Sequence, residues 1–249
     1  MADRRKTPLE EEKIEPQMCS TGLRLEILSQ VPFFASLPHQ AIIEINKSFH
    51  EVGYAAGEAI YFAGDPAEHL QIVAAGKIKL IHHTSYGKDV LMDFLIPGEF
   101  FGRLTALGDE FYLDSAQAQT SACVLRVSTD DFRKILDAHP SVALKVLDTL
   151  AERLIAAQEM VRQLSANSVE KRIAYTLLKL SEKLGKEEPV GLLIEIPLSR
   201  DDLAEMTGTT TETASRVMSQ FQKDGLVKSG RQWVAITDVD GLENIAKPG

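Results

Sequence analysis

Glu212, Ser215 and Arg216 are the residues of this chain whose types and spacing could do the most specific chemistry. A guanidinium forks bidentately onto the O6 and N7 edge of guanine, and a glutamate can accept from the cytosine amino group. Four residues separate Glu212 from Arg216, so on a helix both point to one side and could enter one major groove. The plainer alternative is an i,i+4 ion pair on a solvated face, worth ~0.2–0.5 kcal/mol. Thr210 and Thr211 precede the pair with hydroxyls suited to capping or to DNA contact. Lys228 and Arg231 follow it with cations suited to phosphates, which position a protein without reading sequence.

The elements that must position these residues are legible around them. Ser199 offers an N-cap oxygen, and Asp201 and Asp202 complement the positive end of a first helix carrying Leu203, Ala204 and Met206. Gly208 supplies the left-handed residue of a tight turn. Thr209, Thr210 and Thr211 can cap a second helix, from about 211 to 223, whose apolar face is Ala214, Val217, Met218 and Phe221. Small Ala204 and Gly208 allow two helices to cross closely, as a helix-turn-helix requires. Beyond Gly225 the run LVKSGRQWVAIT predicts a two-stranded wing turning at Ser229-Gly230.

These residues carry a resemblance. The segment resembles the DNA-binding end of the CRP/FNR family of bacterial transcription regulators, whose recognition helix carries E-x-x-S/G-R. Here that pattern is Glu212, Ser215 and Arg216, and Thr211 with Ser215 is similar to the FNR branch. The family pattern extends from about Leu28 to Ile245. It implies a dimer on a palindromic TTGA-type operator, RNA polymerase as a partner, and a β-roll that senses a signal.

The rest of the composition bounds what the chain can be. Its 249 residues, 44% hydrophobic, suffice for a core in each of two modest domains. A net charge of −9 argues against non-specific adhesion to nucleic acid, leaving a specific reader with a few local cations. No apolar run approaches the ~20 residues that span a bilayer, and no signal-peptide pattern opens the chain. Cys19 and Cys123 make no disulfide scaffold, which fits a reducing cytoplasm. No catalytic triad, HExxH or paired-ligand spacing occurs, so neither an enzyme nor a metal site is expected.

From His50 to Val127 glycines cut the chain into short β-rich runs such as LQIVAAG and KIKLIHH. Turn signals every ~8–12 residues predict an antiparallel roll or barrel. The spacing of its glycines, followed by G-E-F-F-G, resembles a cyclic-nucleotide-binding fold. By that resemblance the sensor pocket is Gly98, Glu99, Gly102, Arg103, Asp114 and Ser115. The residues argue against cyclic AMP. Arg103 stands where the family places the ribose-binding acid, and Leu113, Asp114 and Ser115 where it places the phosphate-binding Arg-Ser pair. No Lys or Arg occurs from Leu104 to Leu125, and a buried phosphodiester without a cation would cost several kcal/mol. Arg103 could anchor a carboxylate ligand or pair with Asp114. A [4Fe–4S] cluster of the FNR type needs four cysteines and finds two, of which Cys123 reads as a small core residue. Haem needs only one or two axial ligands and stays open as a cofactor, with His82 and His83 adjacent on a strand. The ligand is otherwise an unidentified small molecule or gas. A barrel that has lost its ligand, on a constitutive DNA binder, is the remaining alternative; a regulatory subunit of an enzyme fits less well.

After a helix capped at Ser128 or Thr129, residues 141–164 form the second organising element. Ala143, Leu147, Leu150, Leu154, Ala157, Val161 and Leu164 follow the 4-3 spacing of an a/d seam. The plain alternative is a helix packed on its own barrel. A dimer through this seam would set two recognition helices one DNA turn apart, ~34 Å. The expectation is therefore an α+β chain: a flexible arm (1–22), a jelly-roll-like sensor with flanking helices (23–138), a dimerisation helix (139–166) and a winged helix-turn-helix (167–249). Its expected function is a homodimeric cytoplasmic transcription regulator, an activator by resemblance, that binds double-stranded DNA.

Overall fold

The computed structural model describes residues 7–9, 20–103 and 111–247. The chain divides into two compact units, and the division falls inside one long helix, between Ala156 and Ala157. Each unit is described by itself.

The first unit opens with α1 (Thr21–Gln30), capped by the Ser20 hydroxyl, and α2 (His39–Asn46). Proline at 32 disfavours helix for the residue before it, and α1 accordingly ends at Gln30 with Val31 extended. Eight strands follow: β1 (His50–Tyr54), β2 (Ala59–Tyr61), β3 (His69–Ala75), β4 (Ile78–His83), β5 (Asp89–Leu95), β6 (Phe100–Gly102), β7 (Ser115–Ala118) and β8 (Ala122–Ser128). They form two antiparallel four-stranded sheets, β1-β8-β3-β6 and β2-β7-β4-β5. The expected antiparallel roll is what the chain makes.

Alternation along β3 and β8 builds two cores. Leu70, Ile72, Leu125 and Val127 face outward and are covered by α1, α2, the helix α3 (Thr129–Ala138) and the start of α4 (Pro140–Ala166). Phe33 is the centre of that core, edge-on to Phe34, Phe100 and Phe132 at centroid distances of 4.7, 5.1 and 5.9 Å. Val73, Val124, Tyr54, Tyr61, Phe101 and Tyr112 face inward and fill the roll.

The second unit holds α5 (Val169–Leu184), β9 (Gly185–Glu188), β10 (Gly191–Ile194), α6 (Arg200–Thr207), α7 (Thr211–Lys223), β11 (Val227–Gly230), β12 (Trp233–Ile236) and α8 (Val239–Ala246). Its sheet has the order β11-β12-β10-β9, so the predicted two-stranded wing is half of a four-stranded sheet. The turn differs too. Gly230 lies within β11, paired with Trp233, and Arg231-Gln232 make the turn. A Cβ on Gly230 would stand 2.2 Å from the Trp233 indole nitrogen. Glycine is required there to seat a cross-strand ring, a demand that looks like a turn signal in the sequence.

Candidate nucleic-acid interface and sensor roll

The helix-turn-helix is α6 and α7. The Ser199 hydroxyl accepts from the Asp202 backbone N–H at 3.0 Å, and the Asp202 carboxylate accepts from the Ser199 backbone N–H at 2.7 Å, closing a capping box. Gly208 caps α6 in the left-handed region, φ 59°. Removal of this cap should be measurable: Ser199→Ala is expected to cost ~1 kcal/mol of unfolding free energy in a denaturant titration.

Thr210 caps α7 by accepting from the Thr213 N–H at 3.2 Å, and the Thr211 hydroxyl donates to Asp201 at 2.5 Å. Both threonines thus fasten the motif with the groups expected to touch DNA. Ala214, Met218 and Phe221 are buried on one face of α7, whereas Glu212 and Arg216 are exposed and Ser215 half-buried on the other. Glu212 and Arg216 make no ion pair with each other or with any other described residue. The plain i,i+4 alternative is therefore not adopted. Both ends of the pair remain available to a ligand.

Lys228 on β11 and Arg231 in the turn are exposed. Two residues that sequence reasoning passed over hold the wing. Arg200 donates to the Ser229 hydroxyl at 2.5 Å, and Gln222 donates to the Ser229 carbonyl at 3.0 Å. Burial lowers the pKa of Arg200 from its usual value. One signal was present: a cation in the first turn of a helix opposes the macrodipole, so it needs another reason to be there. The tie to Ser229 supplies that reason.

In the roll, the residues of the expected sensor pocket are engaged mainly by the protein itself. Glu99 accepts from the Ile96 N–H at 2.8 Å, in the turn with Gly98 that leads to β6 and Gly102. Ser115 is 5% exposed and accepts from the Ala63 N–H at 2.9 Å. The expected Arg103–Asp114 pair is not formed. Arg103 reaches the Ala67 carbonyl at 3.4 Å, while Asp114 accepts from the Tyr61 hydroxyl at 3.3 Å. Burial raises the Asp114 pKa and the Tyr61 bond opposes that rise. Burial, and next the Asp114 charge, hold Tyr61 protonated. The Tyr61 ring stacks on Tyr112 at 3.7 Å and 15°, and more loosely on Phe101 at 6.1 Å. An aromatic stack of this kind was not legible beforehand, because Tyr61 and Tyr112 are far apart in sequence.

None of the six histidines is buried: His39, His50, His82 and His83 are exposed, and His69 and His139 half-buried. His82 and His83 turn to the Leu113 carbonyl and the Asp89 carboxylate, at 3.1 and 2.7 Å. Cys123 is buried on β8 among core residues, as its reading as a small core residue implies, and is disulfide-bonded. Cys19 lies outside the described residues. Among those residues no group of three or more His, Cys, Asp and Glu could hold a metal ion, and no helix is long and apolar enough to cross a membrane.

The a/d seam lies on α4, which has two faces. Val142 and Val146 belong to the outer core of the first unit, and Thr149 is buried with them. Arg153 lays its guanidinium 3.6 Å from the Phe100 ring and donates to the Phe100 carbonyl at 2.7 Å, so it serves the roll rather than flanking a seam. Leu147, Leu150, Leu154, Val161 and Leu164 are 61, 38, 60, 62 and 40% exposed, and Ala157 is exposed beside them. The helix packs on its own roll and still presents the seam.

A capped helix-turn-helix with a wing and an antiparallel sensor-type roll define a class of DNA-binding regulators, and comparison with known proteins agrees. Residues 171–245 match the Crp-like helix-turn-helix domain, and residues 51–139 match the cyclic nucleotide-binding domain. The chain is 30% identical to the cyclic AMP receptor protein of Thermus thermophilus, over 86% of this chain and 96% of that one. It is 25% identical to the CRP-like cAMP-activated global transcriptional regulator of Mycobacterium tuberculosis, over 89% and 99%. The structure of FixK2 from Bradyrhizobium japonicum superposes with a TM-score of 0.71 at 25% identity, covering 81% of this chain and 98% of that chain. The chain belongs to the CRP/FNR family and is a DNA-binding transcription regulator of that type.

Proposed function

We propose that this protein is a homodimeric regulator that reads a palindromic TTGA-type operator through Glu212, Ser215 and Arg216, under control of a ligand held by the β-roll. The observation that carries the reading is the exposed, unpaired Glu212–Arg216 couple on α7, opposite a face sealed by Ala214, Met218 and Phe221. Lys228 and Arg231 contribute phosphate contacts from the wing, and Thr210 and Thr211 act by fixing the start of α7. In this reading residues 23–138 sense, 139–166 dimerise and 167–249 bind DNA, in the cytoplasm, with RNA polymerase as partner and no catalysis. The ligand must favour one state of the dimer over the other, since a ligand of equal affinity shifts nothing.

The ligand is proposed not to be cyclic AMP, although two relatives carry that nucleotide in their names. Asp114 is bonded to Tyr61 where a phosphate-binding cation would be wanted, and Tyr61 in turn is held by its stack on Tyr112. A titration of the full chain with cyclic AMP should give no heat and no change in operator affinity.

Fluorescence anisotropy with a TTGA-type palindrome and a scrambled duplex, over a range of salt, tests the DNA reading. Equal affinity for both duplexes would refute it. Lys228→Ala should weaken all duplexes alike and lower the slope of log affinity against log salt by about 1.

A further inference from the structure

One row of residues crosses the whole inner sheet of the roll. In register, Phe101 on β6 faces Gln71 on β3, Gln71 faces Arg126 on β8, and Arg126 faces His50 on β1. Cross-strand partners share a face, and strand alternation puts Gln71 with Val73 and Arg126 with Val124, on the side that fills the roll. The row therefore sets an amide and a guanidinium side by side on an apolar inner wall.

Their bonding is incomplete. Gln71 is 1% exposed and its Oε1 has no donor; the Nε of Arg126 is sealed from solvent and has no acceptor. Arg126 makes no ion pair with any described residue, although a buried charge is ordinarily paired. The residue as a whole is half-buried, so its outer nitrogens remain reachable. Tyr112 and Gln71 meet at Gly102: a Cβ there would stand 3.5 Å from the Tyr112 ring and 3.7 Å from Gln71 Cγ. His69, two residues before Gln71, lines the same wall, and Tyr54 lies further along it on β1. Burial, and then the Arg126 charge, lower the His69 pKa, which favours the neutral ring.

We propose that Arg126 and Gln71, walled by Tyr112 and His69, form a binding site for a small organic monocarboxylate that also carries a hydroxyl or amine donor. The guanidinium fork matches a carboxylate bidentately. The orphan Gln71 oxygen calls for a donor two or three bonds away from that carboxylate. One cation, with the Glu68 charge already acting on His69 and Tyr112 beside it, balances at most one added negative charge, which disfavours a phosphate dianion. The two polar groups of this site stand on β3 and β8, whereas the family resemblance looks for a nucleotide on the neighbouring Gly98–Arg103 and Asp114–Ser115 stretches. It deepens the proposed function by naming the ligand class of the roll, and it rests on reading the roll as a sensor.

The test uses the full chain with lactate, acetate, benzoate and inorganic phosphate as probes, in calorimetric titration and thermal melts. Lactate is expected to bind and to raise the melting temperature, acetate and benzoate to bind more weakly, and phosphate to give no saturable signal. Arg126→Gln should weaken lactate at least ~10-fold and Gln71→Leu should erase the preference for lactate over acetate. Arg126→Lys, which keeps the charge, should restore part of the affinity and guards against a variant that misfolds. Absence of binding by all three carboxylates at ~10 mM, or equal lactate affinity in well-folded Arg126→Gln protein, would overturn the proposal. Operator binding without any carboxylate is measured in parallel. The same titration is repeated with lactate present; a lack of operator preference in both conditions counts against the DNA reading, whereas a failure confined to the carboxylate titrations counts against this site alone.

Discussion

Arg216→Ala is expected to cost ~1–3 kcal/mol of operator affinity, up to about a 100-fold rise in Kd, and to relax discrimination at the guanine it reads. The size follows from geometry. Arg216 is exposed and makes no bond to any described residue, so truncation would remove the proposed DNA contact without orphaning a protein group. Stability should be nearly unchanged, because the packing of α7 rests on Ala214, Met218 and Phe221. Anisotropy against a panel of half-site substitutions separates the outcomes. A uniform loss across the panel would assign Arg216 to the phosphates. An unchanged affinity would remove it from the interface.

Leu154→Glu is expected to convert the proposed dimer to monomer in sedimentation velocity and to weaken operator binding with it. Burying a leucine is worth ~1.5–3 kcal/mol, and the substitution acts in both copies, so the loss at the seam is at least ~3 kcal/mol, or more than 100-fold in the dimer constant. The monomer should fold normally, since Leu154 is 60% exposed on its own chain. Soluble monomers rarely leave so long an apolar stripe uncovered. Val146, buried two turns earlier on the same helix, gives the contrast: Val146→Ala opens the core beside Phe132 and Ile135, and should lower the melting temperature while leaving the association constant alone. If Leu154→Glu sediments like the wild type, the seam is not the dimer contact.

Much of the site was legible because its determinants are local. Ser199, Gly208 and Thr210 sit at the ends of the helices they cap, and the period of Ala214, Met218 and Phe221 fixes which side of α7 is buried and which is exposed. The seam at 147–164 was legible for the same reason. What escaped depended on strand register or on long-range contact. Gly230 looked like a turn and is a seat for Trp233. Arg200 carried no reading from the sequence and holds the wing through Ser229. Strand β9 and helix α8 were not among the expected elements; β9 is held by its pairing with β10 and α8 packs on α5.

The roll shows the division most clearly. Sequence by itself determined that the family's acid and Arg-Ser pair are absent, since those are matters of which residue stands at 103 and 113–115. It also determined the order of roll, long helix and winged helix-turn-helix, because periodicity and capping act within a few residues of chain. Only the tertiary structure decided that Asp114 bonds to Tyr61 instead of Arg103, and that Gln71 stands beside Arg126. Positions 71 and 126 meet because antiparallel pairing of β3 with β8 brings them into register, and hydrogen bonding between strands leaves no mark at either position alone.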